Sequence, residues 1–368
     1  MDTALRPPVI ARPAPTRHVG LLARLRKSLF ADWKNALATI VVVALLVRWV
    51  PEFYNWAVVR SVTQPDNDAC RALDHAGACW GVIAEKYRLI LFGRYPFDEQ
   101  WRPLVATMLM VAMVVASCTR VLWSRWLILA WIAVLAIFFV LMRGGVAGLT
   151  PVETARWGGV PLTMLLSTLS IAAGFPIAVL VALGRRSHLP AIRSMCIVYV
   201  ELIRGVPLIS VLFMASFMFP LFMPPGITVD VLVRVLVGIT LFSAAYLAEV
   251  VRGGLQAIPK GQHEAAAAMG LSYWQTQRKI ILSQALRMVV PSIMNSFIST
   301  FKDTSLVTIV SLYDLTGSLA LALGGDANWR QFYLEGYLFI AAIYWGFCFA
   351  MSRYSQWVER RLNVANAH

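Results

Sequence analysis

Eight predominantly apolar runs, at 35–50, 103–119, 126–142, 158–184, 196–220, 231–251, 293–313 and 332–352, reach or approach the length needed to cross a bilayer. Lipid offers backbone N–H and C=O groups no partner, so each run predicts a helix that satisfies them internally. The pattern predicts an all-α polytopic membrane protein with eight transmembrane helices. The first run is short and contains Arg48, which snorkels to the interface beside Trp49. The main polar zones are a tail over 1–34, a loop over 51–102 and a gap between the sixth and seventh runs.

Composition supports this reading. The chain is 59% hydrophobic and 14% charged, with mean hydropathy +0.66, values that a soluble domain with a wetted surface would not carry. A net charge of +14 raises nucleic acid as a partner, but the basic residues collect at helix ends and no aromatic-basic module such as an RRM accompanies them. Placing the N-terminus inside puts 20 Lys and Arg on the cytoplasmic side against 9 outside. Both termini and the gap between runs six and seven are therefore expected in the cytoplasm. No small-residue cleavage site follows the first run, so the Arg- and Pro-rich tail is expected to stay attached, disordered before about Leu21.

The outer loop carries Cys70 and Cys79, whereas Cys118, Cys196 and Cys348 fall within spans. An oxidising compartment favours a Cys70–Cys79 disulfide. Asp74 and His75 between them raise a metal site, but the spacing fits no standard zinc template, and no metal is expected.

The gap reads RGGLQAIPKGQHEAAAAMGLSYWQTQRKIILSQALRMVVP. Gln262 to Met269 is strongly helix-forming, and Gly270 suits the left-handed residue that ends a helix. Ser272 with Gln275 forms a capping box for a second helix, whose apolar face carries Ile280, Ile281 and Leu282. Physics alone leaves two readings: an ordinary connector, or a small-faced helix that approaches a partner closely, with Glu264 available for pairing.

Here the residues resemble a known family. Glu264, Ala265, Ala266, Gly270, Ile280 and Leu282 reproduce the spacing of the cytoplasmic EAA loop of ABC-importer permeases. The family usually has Pro after that Leu; Ser283 stands here, which predicts a straighter entrance to the seventh span. YVELIRGVPLISVLF, AYLAEVVRGGLQAIPKGQHEAAAAMGLS and FISTFKDTSLVTIVSLYDL resemble hallmark segments of polar amino-acid permeases of the histidine/glutamine/arginine type. With its N-terminal extension the chain is most similar to the longer, AapM-type permeases of general L-amino-acid (Aap/Bzt) systems. The resemblance implies a five-helix type I importer core over 158–355, with a coupling loop at 252–292. Before it come the tail 1–34 and an accessory region 35–157; after it comes a tail 356–368.

It further implies that Gln262, Glu264, Ala265, Ala266 and Gly270 couple to ABC ATPase subunits. A second permease, expected to be a paralogue, and a periplasmic amino-acid-binding protein complete the system in the bacterial inner membrane. No cofactor is expected on this chain; ATP and Mg belong to the partner ATPase, since no G-x-x-x-x-G-K-[ST] loop is present.

Charges inside a span face a cavity or a partner by default. Glu201 and Arg204, followed by the helix breakers Gly205 and Pro207, form one candidate island of a substrate path, and Lys302, Asp303, Thr304 and Ser305 a second. Glu249, Arg252 and Arg234 lie nearer span ends. The plainer alternative makes Glu201–Arg204 an internal i,i+3 ion pair and sets Lys302–Asp303 against a neighbouring subunit. A proton-coupled secondary transporter using Glu249 and Asp303 is the rival function. An intramembrane enzyme is not expected: the spans lack H-E-x-x-H, G-x-S-x-G or a His-carboxylate cluster.

Overall fold

A computed structural model describes residues 20, 28–73, 76–119, 122–146 and 148–364. Most of the basic tail, together with Asp74 and His75, lies outside the described residues. The chain divides into two units, one comprising 1–62 and 68–79 and the other 63–67 and 80–368.

In the first unit, helix α1 (Trp33–Tyr54) runs into a π turn at Asn55–Val59 and buries none of its residues. Arg48 pairs with Glu52 one turn on. The cysteine loop is tied to the end of this helix: Ala78 N–H donates to Trp56 O at 2.8 Å and Val62 N–H to Ala78 O at 2.9 Å. Cys70 and Cys79 are disulfide-bonded across a Cα–Cα distance of 5.4 Å, and both are buried. Unreduced, denatured protein should therefore take up three thiol labels, at Cys118, Cys196 and Cys348, and five after reduction, read by intact mass. Five labels without reductant would refute the bond.

The second unit holds α2 (Gly81–Phe92), α3 (Trp101–Cys118), α4 (Trp126–Arg143), α5 (Gly159–Gly184), α6 (Pro190–Arg204), α7 (Leu208–Phe213) and α8 (Val231–Gln256). They are followed by α9 (Lys260–Ala268), α10 (Tyr273–Thr276), α11 (Leu282–Asp303), α12 (Leu315–Gly324) and α13 (Tyr333–Val364). Among the described residues of the chain, seven helical segments are long and apolar enough to cross a membrane, and an eighth span results if the bent pair Pro190–Arg204 and Leu208–Phe222 counts as one. The run at 196–220 is thus no straight helix. It turns by 105° at Gly205–Pro207, because Pro207 lacks an N–H and biases Val206 away from helical geometry.

The α5–α8 pair forms the most extensive helix contact. Close approach depends on small residues: a Cβ added to Gly174 would lie 2.8 Å from Ser243 Oγ and 3.3 Å from Thr240 O. The main core joins Met110, Phe138, Trp157, Leu165, Ile239 and Val307, drawn from five separated segments. Burial at Tyr95, whose hydroxyl donates to Leu141 O and Met142 O at 3.1 Å, pushes its phenol up to about 12. Lys86 on α2 reaches Asp326 Oδ2 at 2.8 Å and holds that carboxyl below its ordinary range, an ion pair that weakens as acid protonates Asp326.

Candidate functional site

Where α5, α6 and α8 come together, three arginines surround Glu249. Arg185 Nη1 donates to Glu249 Oε2 at 2.8 Å, Arg204 Nη1 lies 3.8 Å from the same oxygen, and Arg252 bonds Oε1 from the next turn of α8. Glu201 is bound by Arg185 Nη2 at 3.1 Å, so it does not form the internal pair with Arg204 that i,i+3 spacing suggested. The reason is geometric. Arg185 follows the last residue of α5 and can reach two carboxylates, whereas Arg204 turns toward Glu249 and rests 5.6 Å from the Tyr246 ring. Glu249 is the hub, with its side chain 21% exposed; Glu201 is peripheral at 60%. This ties the last turn of α6, immediately before the Gly205–Pro207 break, to α5 and α8.

The second island is differently placed. Lys302 is exposed, Asp303 and Ser305 are half-buried, and Thr304 is fully buried with its hydroxyl donating to Phe301 O at 2.8 Å. α11 gives way here to a 3₁₀ segment, Thr304–Val310, that packs on α7 through Val307, Val310, Leu208 and Leu212. Among the described residues no ion pair joins the two islands; apolar packing does.

Just beyond lies a group that span-based reading overlooked. Asp314 is fully buried and accepts from Gly317 N–H at 3.0 Å, Thr308 Oγ1 at 3.0 Å and Tyr344 OH at 2.8 Å. It caps α12 and links three segments; Asp ahead of the apolar run Leu315–Leu323 was the available signal. A short strand, β1 (Tyr313–Asp314), forms bridges to Gly158 and Gly159 at the start of α5.

The polar gap folds as helix, glycine turn, helix. Pro259 in extended geometry starts α9. Gly270, at φ +70°, ends it in a Schellman arrangement: Leu271 N–H donates to Ala266 O at 3.1 Å and Gly270 N–H to Ala267 O at 3.0 Å. The capping box is complete, with Ser272 N–H on Gln275 Oε1 at 2.9 Å and Gln275 N–H on Ser272 Oγ. Ala266 is buried; Glu264, Ala265 and Gly270 are exposed, and Gln262 accepts from Gln284 at 3.1 Å. Met269, Tyr273 and Trp274 add an exposed apolar rim at 76%, 51% and 66%. Inward, Ile281 joins Leu183, Val251 and Leu255 in a small core. The straighter entrance expected from Ser283 gives way to a π turn at Gln277–Ile281, where the Ser283 hydroxyl donates to Lys279 O and Ile280 O.

Residues 174–364 match the family described as binding-protein-dependent transport system inner membrane component. The chain is 45% identical over 357 residues to an inner membrane amino-acid ABC transporter permease protein of Escherichia coli, YhdY, covering 96% of each. It is 35% identical to the glutamate/glutamine/aspartate/asparagine transport system permease protein BztC of Rhodobacter capsulatus, covering 95% of this chain and 96% of that one. A crystal structure of an amino acid ABC transporter with histidines matches 54% of this chain and 90% of that chain at 30% identity and TM-score 0.49.

Proposed function

The chain belongs to the family of binding-protein-dependent transport system inner membrane components, and from that membership we propose that it is the permease subunit of an ATP-driven importer that moves L-amino acids across the bacterial inner membrane. The observation that carries the coupling part of this reading is α9 with its two defined ends. A nine-residue helix is marginal in isolation, yet extended Pro259 at its start, a Schellman stop at its end and the buried Ala266 fix it while leaving Glu264 and Ala265 exposed. That face is the docking element for a separate ATPase subunit, which binds ATP and Mg.

In this mechanism ATP-driven closure of two ATPases displaces α9 in each of two permeases. The displacement passes inward through α10 and the Ile281 core to α5 and α8. Residues 158–355 form the translocating core, a periplasmic protein delivers the amino acid, and the second permease is a paralogue. The break at Gly205–Pro207 exposes backbone dipoles beside Arg204, and the Thr304–Val310 segment that follows Lys302 and Asp303 packs on α7 just after the break; the two islands supply donors and acceptors for a zwitterion. Glu249, occupied by three guanidinium groups, is poorly suited to the proton-carrying role a secondary transporter would require.

Affinity purification from membranes should recover an ATPase, a second permease and an amino-acid-binding protein with this chain. Glu264→Arg should lower uptake by about tenfold, the effect of removing one charge-assisted contact, with ATPase released from the membrane or hydrolysing without transport. Uptake abolished by a protonophore while ATP is held constant, or normal coupled uptake in Glu264→Arg, would refute the assignment.

A further inference from the structure

A pocket of about 480 Å³ opens at the ends of α5 and α8 remote from α9, between the turn before α5, the first turn of α8 and residues 310–312. Arg94, from the accessory region, lines its side. Both segments of the candidate path reach this place. The 3₁₀ segment Thr304–Val310 ends in its wall, and Arg234 Nη1 donates to Ser216 O in the π turn Met214–Met218 that continues α7.

A charge carried on an apolar span calls for a partner or a cavity. Arg234 lies one turn into α8, and among the described residues it forms no ion pair. Asp230, four residues earlier, is engaged elsewhere: its Oδ1 caps Leu232 N–H at 2.7 Å and its Oδ2 accepts from Thr154 Oγ1 at 2.5 Å. Nε of Arg234 is sealed in the protein without an acceptor, out of reach of any guest, so its charge is left to Nη2, which has no acceptor among the described residues and is open to solvent. Arg94 is held in place beside it. Its Nη2 donates to Ala155 O at 2.8 Å and its guanidinium rests 4.7 Å from the Tyr313 ring. The preceding Gly93, at φ +63°, packs so closely that a Cβ there would lie 2.5 Å from Gly158 Cα. The lining thus sets two guanidinium groups without carboxylate partners against one exposed carboxylate, Asp230, which keeps unused lone pairs.

We propose that this pocket is the outer entry site for a free α-amino acid, its carboxylate on Arg234 Nη2 and Arg94 and its ammonium on Asp230. The proposal rests on the transport reading above and deepens it. A bare anion answers the arginines but offers nothing to Asp230, and a bare cation is repelled by both arginines; a zwitterion matches charges of both signs. Recognition falls on the backbone groups of the guest, so its side chain is free to vary. The site also gives the accessory region a part in transport, because Arg94 and Thr154 lie outside the core at 158–355 and complete a pocket that Asp230 and Arg234 only half build.

The test uses the purified permease–ATPase complex without binding protein. Equilibrium dialysis with radiolabelled L-leucine should show saturable binding, displaced at least about tenfold less well by L-leucinamide, which lacks the carboxylate, and by 4-methylpentanoate, which lacks the ammonium. Arg94→Gln and Arg234→Gln should each weaken leucine binding about tenfold, the worth of one hydrogen bond to a charged group. Arg94 is exposed, so its variant carries the test if Arg234→Gln proves unstable. No saturable binding, displacement by leucinamide or inorganic phosphate as effective as by leucine, or parent-like affinity in Arg94→Gln would overturn the site. Unchanged leucine affinity with weakened attachment of the periplasmic binding protein would assign the arginines to protein docking and overturn it equally. ATP-driven uptake by the parent complex with its binding protein is measured alongside: uptake without carboxylate-dependent binding sinks only this site, whereas absence of uptake sinks the transport reading.

Discussion

Glu249→Gln lowers the thermal midpoint of the purified complex by several degrees and cuts amino-acid uptake at least about tenfold. The substitution keeps shape but removes the carboxylate that, among the described residues, Arg185, Arg204 and Arg252 share. Removing one partner of a fully buried pair costs about 3–5 kcal/mol. With Glu249 21% and Arg204 36% exposed, solvent screening reduces this to about 2 kcal/mol. The effect falls on function because the hub holds α6 just before its 105° turn, so three guanidinium groups left with Glu201 on Arg185 as their remaining ion pair push α5, α6 and α8 apart at the broken helix. Glu201→Gln is the control. Its side chain is 60% exposed and among the described residues its one ion pair is with Arg185, so its cost stays near about 0.5 kcal/mol. A midpoint measured by fluorescence-detected size exclusion decides between them, and equal effects of the two changes would remove Glu249 from its position as hub.

How far the sequence reached depended on the range of the interaction involved. Local rules governed the polar gap. Gly270 after an alanine run and Ser272 three residues before Gln275 are signals contained within a single turn, and the backbone answers them directly. Gly205 and Pro207 likewise marked the break in the fifth apolar run, although not its angle. Partner choice across helices was hidden. Arg185 looked like a topology charge at the end of a span, and only the approach of α5 to α8 carries it to Glu249 and Glu201. Spacing suggested Glu201–Arg204, but the end of α5 offered Glu201 a partner in Arg185 and α8 offered Arg204 one in Glu249. Asp314 was passed over because it sits in a polar break between apolar segments, and its burial depends on Thr308, Gly317 and Tyr344 converging from different elements. The π turn before Ser283 was equally out of reach, since one substituted residue reports the loss of a proline but not how the ladder is rebuilt.

Gly270→Val abolishes coupled uptake, whereas Gly270→Asn preserves it within about twofold. A Cβ at this position meets nothing within 4 Å, so the contrast cannot arise from steric conflict with the rest of the chain. It arises from the backbone. At φ +70° a β-branched residue is strained by about 1–2 kcal/mol or more, while Asn adopts the left-handed conformation routinely. The strain falls on a nine-residue helix that has little stability of its own, and relieving it breaks the bonds from Leu271 N–H to Ala266 O and from Gly270 N–H to Ala267 O. Once these open, Glu264 and Ala265 are no longer presented on an ordered face, and the start of the capping box at Ser272 loses its fixed approach. ATP hydrolysis then continues in the partner without moving the permease, so the ratio of amino acid transported to ATP consumed drops by about tenfold, while the amount of permease in the membrane is unchanged. Val and Asn variants that both retain coupling would show that α9 needs no left-handed stop. Loss of coupling in both would locate the requirement in a direct contact at the exposed Gly270 surface, where even a small side chain obstructs the docked ATPase.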